Sequence, residues 1–219
     1  MKKLLLSLTI SAAALTASAQ TSPVKFGVKA GLTFPTMSFS ESVGADIKAN
    51  TSFYVGGTVD IPVSEIFTIQ PGLTFLNKGF KIDESMSLEE MSVSAVAKTG
   101  IQYLELPVNA LANFPLGDGK LFLGAGPYYA MALSGKVKTE VKGSMDGESA
   151  SESGSEKIEF GKDGDLKRGD FGVNFLGGYQ LSNGFNIHAG YGLGLSNISN
   201  DSDSKTKNRV LSVGVGYSF

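Results

Sequence analysis

The 219-residue sequence has no cysteine and no tryptophan, and it has a single histidine, His188. Without cysteine there is no disulfide scaffold, no thiolate metal site and no cysteine nucleophile. Formal net charge is −2, with 19 basic and 21 acidic residues. Nucleic acid is therefore not an expected partner, since neutralising phosphates takes clustered Lys and Arg. Beyond the first twenty residues no apolar run reaches the ~18 residues of a membrane-spanning helix. At 42% hydrophobic content a bundle of such helices is excluded as well.

The N-terminus carries an export pattern. Lys2 and Lys3 precede a short apolar run, and Ala17-Ser18-Ala19 is a small-x-small cleavage site. Residues 1–19 are read as a signal peptide, too short in its apolar part to span a bilayer. The fold is then sought in 20–219.

Apolar residues recur there with period two, as in half-buried strands. The eight segments are 25–32, 51–61, 67–75, 103–113, 121–133, 171–181, 185–195 and 211–219. In 185–195, Phe185, Ile187, Ala189, Tyr191, Leu193 and Leu195 alternate with Asn186, His188 and three glycines. Most segments are near the ~9–11 residues a tilted strand needs to cross a bilayer. Links alternate in length: 62–66, 114–120 and 182–184 are short, and Asn183-Gly184 is a hairpin turn signal. The links 35–50, 77–102, 134–170 and 196–208 are long and polar. Short turns on one side and long loops on the other are typical of outer-membrane barrels. The expected fold is all-β: a closed, antiparallel, up-and-down transmembrane barrel of eight strands, with both chain ends on the periplasmic side. The stretch 136–168, rich in Gly, Ser, Glu, Asp and Lys, reads as a disordered outer loop.

The polar positions decide which face points inward. They could not form a dry core without many unpaired polar atoms, whereas the apolar set suits hydrocarbon. By this parity the lumen receives Lys25, Lys29, Asp60, Gln70, Tyr103, Glu105, Asn109, Asp170, Asn174 and His188. Lys25 is expected near Asp60 as an ion pair plugging the tube, because eight strands leave room only for side chains. Aromatics at segment ends, among them Phe67, Phe185, Tyr217 and Phe219, suit an interfacial belt. Pro71, Pro107 and Pro127 fall inside segments, where bulges or strand ends are expected.

The last nine residues place Val215, Tyr217 and the terminal Phe219 at alternate outward positions, and this resembles the C-terminal insertion signal of outer-membrane proteins. The stretch Val24-Lys25-Phe26-Gly27-Val28-Lys29-Ala30-Gly31-Leu32 resembles the opening strand of the PorT-like porin-family barrels of Bacteroidetes. Tyr103-Leu104-Glu105-Leu106-Pro107 resembles their central strand. The resemblance implies a bacterial outer-membrane location and a barrel fold. It also implies transient partners, the periplasmic chaperones and the barrel-assembly machinery, and outer-membrane lipid as the lasting environment.

Candidate chemistry is sparse. Gly124-Ala125-Gly126 and Gly214/Gly216 lie within strands, not at a strand-to-helix turn, so no nucleotide or other cofactor is expected. Serines and acidic residues are so abundant that their presence beside His188 carries no specific triad signal, and a lone His without ligand spacing marks no metal site. The runs Asn200-Asp201-Ser202-Asp203 and Asp163-Gly164-Asp165 lack the ligand pattern of a calcium loop. The expected role is a monomeric, non-enzymatic structural or surface-interaction protein, whose loops could meet an extracellular ligand. The alternative is a narrow channel for small solutes or ions. Two others are an outer-membrane hydrolase or acyltransferase using His188, and a soluble ligand-binding barrel.

Overall fold

The computed structural model describes residues 23–40, 46–88, 91–145, 148–201 and 204–219. The proposed signal peptide lies outside them. Ten strands are formed: β1 (Lys25–Phe39), β2 (Ile47–Lys48), β3 (Ser52–Pro62), β4 (Phe67–Leu88), β5 (Met91–Leu116), β6 (Gly119–Met145), β7 (Glu148–Lys157), β8 (Gly169–Leu181), β9 (Phe185–Gly194) and β10 (Thr206–Ser218). Eight of them close a ring by antiparallel pairing in the order β1, β3, β4, β5, β6, β8, β9, β10 and back to β1. Closure leaves no sheet edge in the spanning region, which lipid would leave without hydrogen-bond partners. β2 pairs β4 and β7 pairs β6, both beyond the ring.

Short connections lie at one rim. Leu116 pairs Gly119 across a two-residue turn, in which Gly117 has φ +59°, and Gly184 has φ +91° after Asn183. The described ends share that rim, since Gly27 pairs Ser218.

The spanning strands show the outward apolar face read from the sequence. Phe26, Leu32, Phe53, Leu106, Leu123, Tyr129, Phe175, Ile187 and Val215 are all exposed on the barrel exterior. On β6 the outward set from Leu121 to Leu133 covers about 30 Å of height at ~2.5 Å per tilted residue, matching the hydrocarbon thickness. Phe67, Phe185, Tyr217 and Phe219 are exposed toward the short-turn rim, where Tyr217 and Phe219 meet edge to face at 5.1 Å.

Two sequence expectations are corrected. The links 77–102 and 134–170 are not loops throughout. β4 runs to Leu88, β5 starts at Met91, and β6 runs to Met145 and turns back as β7. The stretch 136–168, expected to be disordered, is thus a paired hairpin through Lys157. Its physical signature is an inversion of apolar phase. On β5, Leu104, Leu106 and Val108 point outward, whereas Ile101 and Thr99 point inward and are buried. Where water replaces lipid outside, the apolar side turns to the interior. On β6 the inversion coincides with a bulge: Gln102 pairs Ser134 while Tyr103 pairs Ala132, leaving Leu133 extra.

The prolines form neither bulges nor strand ends. Pairing lapses between Pro71↔Val108 and Thr74↔Glu105, and between Pro107↔Tyr128 and Ala110↔Ala125, then resumes in the same register. Pro127 pairs Val173 within an unbroken ladder. Losing one donor to an otherwise long ladder leaves the flanking pairs to hold alignment.

Candidate functional site

The lumen is layered. At the short-turn rim, Asp60 accepts hydrogen bonds from Gln70 Nε2 at 2.7 Å and from Ser218 Oγ at 3.2 Å. Lys25 stands opposite Asp60 in the β1–β3 register but is exposed, and no ion pair joins them among the described residues. The expected Lys25–Asp60 plug is therefore corrected. Lys25 is at the mouth of the tube, where water solvates an ammonium more cheaply than a fixed pair does.

Above this rim, β3, β9 and β10 build a second layer. Tyr54 Oη and His188 Nε2 are 2.6 Å apart, and His188 Nδ1 is 2.8 Å from Asn186 Oδ1. Asn186 Oδ1 can only accept, so the proton sits on Nδ1 and the tyrosine donates to Nε2. Gly31 and Gly214 make this possible, because a Cβ at either would run into the Tyr54 ring or hydroxyl. Lys29 lies at the edge of the same ring, its Nζ 6.0 Å from the centroid. Around this layer is a cavity of about 120 Å³, lined by polar and apolar side chains, which has room for several water molecules. Gln70, Asn109, Asn174 and Lys120 also line it. Thr33 Oγ1, Thr74 Oγ1 and Asn109 Oδ1 border it without a side-chain or backbone partner among the described residues.

The third layer is a buried charge cluster centred on Lys78. Its ammonium lies 2.9 Å from Glu105 Oε2 and 3.0 Å from Asp170 Oδ2. Asp170, fully buried, also accepts from Ser196 Oγ at 2.8 Å, Asn208 Nδ2 at 2.9 Å and Tyr128 Oη at 3.3 Å. Glu105 accepts from Asn174 Nδ2 at 2.9 Å. The rings of Tyr128 and Tyr103 flank the ammonium, with centroids 4.1 and 5.1 Å away. Four residues expected in the lumen, Tyr103, Glu105, Asp170 and Asn174, are thus brought together. Their organiser, Lys78, was missed because it lay in a stretch read as loop. Its signal was the continued alternation of Leu76, Lys78, Phe80 and Ile82 past Phe75.

Above the charges the tube is lined by apolar side chains. Met37, Leu76, Ile101, Ala130, Ala132 and Ile198 form an apolar cluster, covered by Phe39, Phe80, Ile158, Phe160 and Leu166. The lumen is thus not polar throughout. The segment between β7 and β8 folds over the mouth, with Leu166 bridging both Phe160 and Ser199. Arg168 fixes it by donating to Ala132 O at 3.2 Å and by covering the Phe160 ring. Asn200 Nδ2 donates to Gly161 O and Gly164 O at 2.6 and 2.7 Å, which ties the two loops whose acidic runs were noted in the sequence. Among the described residues no group of three or more His, Cys, Asp or Glu is placed to hold a metal ion.

Beyond the mouth, the outer parts of β4, β5, β6 and all of β7 continue as a sheet. Val93 and Val141 are exposed on its inward-continuing face. Surface pairs dot the other face, Lys81–Asp83 at 2.7 Å and Lys142–Glu140 at 2.8 Å. Lys81 holds the Asp83 carboxyl below the usual carboxylate range by direct hydrogen bonding.

Comparison with known proteins was made on sequence and on structure. No curated protein matches the sequence. Among solved structures, the attachment invasion locus protein Ail of Yersinia pestis shares 13% identity, covering 90% of this chain and 100% of that one, with a TM-score of 0.42. Neisserial surface protein A shares 14%, over 90% and 100%, at 0.45. The outer membrane protein OprG of Pseudomonas aeruginosa shares 14%, over 89% and 95%, at 0.34. The family model described as "Outer membrane protein beta-barrel domain" matches residues 18–200, most of the chain, and its location is the outer membrane. The closed antiparallel ring is a β-barrel as that description has it, and the chain belongs to the outer membrane protein beta-barrel domain family.

Proposed function

We propose that this protein is a non-conducting, non-enzymatic outer-membrane barrel that serves as a rigid base for an extracellular interaction surface. The observation that carries this reading is the double closure of the lumen: the Lys78–Glu105–Asp170 cluster, and the apolar cap above it. A buried, ion-paired charge cluster resists hydration by a passing ion, because separating its members exposes uncompensated charge in a narrow tube. The extramembrane sheet supports the second half of the reading. Among the described residues β7 pairs only β6, so its other edge is available for strand addition by a partner.

An enzymatic role has less support. Both ring nitrogens of His188 are engaged, by a tyrosine and an asparagine, and the described contacts supply neither a serine nucleophile nor an acid beside it. The narrow-channel reading keeps one favourable observation, the cavity below the charge cluster. Protein reconstituted in a planar bilayer separates the two. A flat current trace across ±100 mV or so, at any salt, fits the closed barrel, whereas unitary steps would refute it.

Within the family, the stretches Val24–Leu32 and Tyr103–Pro107 support a PorT-like, Bacteroidetes-type member with a cleaved signal peptide and a C-terminal insertion signal at Val215, Tyr217 and Phe219. Chaperones and the assembly machinery are then partners during biogenesis only. A monomer is the expected state, since the ring closes on itself.

A further inference from the structure

The outer sheet segregates its charges. The face continuous with the lipid-facing exterior carries a row in which Lys48 opposes Lys81, Lys81 opposes Lys98, and Lys98 opposes Lys138, four adjacent strands in register. Lys136 opposes Lys157 one row nearer the membrane, and Lys142 adds a seventh lysine farther out. Among the described strand residues, only Asp83 and Glu140 counter them on this face; they are paired to Lys81 and to Lys142, and Lys98 stands within electrostatic reach of both. Among the described residues, Lys98, Lys136, Lys138 and Lys157 have no ion-pair partner, and all four are exposed. Glu84, Glu152 and Glu156 occupy the opposite face by strand parity.

Like charges directly opposite on neighbouring strands lie about 5 Å apart and destabilise a sheet. A row of four costs stability unless something anionic faces it. Position identifies that something. The outward apolar belt ends at Leu104 and Leu133, followed by the polar pair Gln102 and Ser134, which hydrogen-bond at 2.7 Å. Lys136 is two residues beyond Ser134 and Lys98 four beyond Gln102. At ~2.5 Å of height per tilted residue, they stand about 5 and 10 Å above the hydrocarbon edge. That is headgroup depth, and the flexible lysine stems let the ammoniums move within it.

We propose that this lysine face docks the phosphate groups of the anionic lipid leaflet around the barrel, fixing the hairpin sheet against the membrane surface. The docking uses ammonium–phosphate contacts, so it weakens with salt. It rests on the barrel being inserted with its hairpins beyond the hydrocarbon, which the reference condition below checks independently.

The test compares the wild-type chain with Lys98→Gln/Lys136→Gln/Lys138→Gln in three kinds of vesicle. One is zwitterionic phospholipid alone; the second adds a phosphorylated glycolipid; the third adds the same glycolipid after dephosphorylation. The readout is the temperature at which the compact, unboiled gel band is lost. In zwitterionic vesicles both proteins fold, and the variant melts higher, because repulsion is relieved. In phosphorylated vesicles the order reverses and the wild type gains several degrees that the variant lacks. Titrating the glycolipid, Lys98→Gln alone weakens apparent association roughly fivefold, as expected for one lysine near an anionic surface. Equal wild-type midpoints in the phosphorylated and dephosphorylated vesicles would overturn the proposal. So would an equal gain from free inorganic phosphate over zwitterionic vesicles, which would assign the site to a soluble anion. Should the triple variant not fold, Lys98→Gln and Lys138→Gln singly must still show the reversal. A compact band lost even in zwitterionic vesicles for wild type would instead refute the barrel itself.

Discussion

Lys78→Met removes the cation held between two buried carboxylates. In the wild type the ammonium sits 2.9 and 3.0 Å from Glu105 and Asp170, with all three groups buried. After the substitution Asp170 keeps three donors, from Ser196, Asn208 and Tyr128, while Glu105 keeps one, from Asn174. Neither then has an ion-pair partner among the described residues, and Lys29 acts on Glu105 only from beyond ion-pair distance. Breaking a buried ion cluster in this way costs about 3–5 kcal/mol. Glu105→Gln is milder, since a one-to-one Lys78–Asp170 pair survives, and the loss is about 1.5–3 kcal/mol, one charge-assisted hydrogen bond. The triple change Lys78→Met/Glu105→Gln/Asp170→Asn removes every charge and keeps polar partners, so it recovers to within ~1 kcal/mol of wild type. Denaturant titration in lipid vesicles, scored by the compact unboiled gel band, measures all three without needing a tryptophan. A single variant as stable as wild type would refute the argument, as would a triple variant no better than Lys78→Met.

Tyr54→Phe removes the donor to His188 and is expected to cost about 0.5–1.5 kcal/mol in the same titration, with a barrel that still closes. No change would mean the Tyr54–His188 contact is incidental. Val213→Arg, on the exterior of β10 and opposite Leu32 and Ala189, should cost about 2–4 kcal/mol near the bilayer midplane. Leu181→Arg, at the end of β8 beside the short-turn rim, should cost ~0–1 kcal/mol. Equal penalties at the two sites would contradict the depth assigned to them.

The spanning ring was legible because lipid imposes one rule on every strand: one face apolar, period two, for about ten residues. Phe171, Phe175, Ile187, Val213 and their neighbours obey it, and their exposure in the structure follows. What escaped was the part where the rule changes. From Ile101 back through Thr99, and from Leu76 through Phe80 and Ile82, the apolar side points inward, because the outer surface there meets water. Read with the membrane rule, those stretches lose their contrast and pass for loop. β7 is harder still: Glu148 to Lys157 has almost no apolar residue, and its pairing to β6 comes from backbone bonding next to an already extended strand. The charge cluster was missed for the same reason. Tyr103, Glu105, Asp170 and Asn174 were read as lumen residues, yet their common partner Lys78 lies where the apolar phase turns over. Lys25, by contrast, had the right parity and stands opposite Asp60, but its height at the rim leaves it in water.

The central claim is that alternate side chains of each ring strand meet hydrocarbon and enclosed lumen. The cysteine-free chain suits a direct measurement. Single cysteines at Phe175, Ile187 and Val213 on the exterior, and at Asn174, His188 and Ser212 toward the lumen, would carry a fluorophore in vesicles containing lipid-attached quenchers. The first three should be strongly quenched and the second three barely so. Equal quenching of adjacent positions, or stronger quenching at Asn174 than at Phe175, would contradict the account.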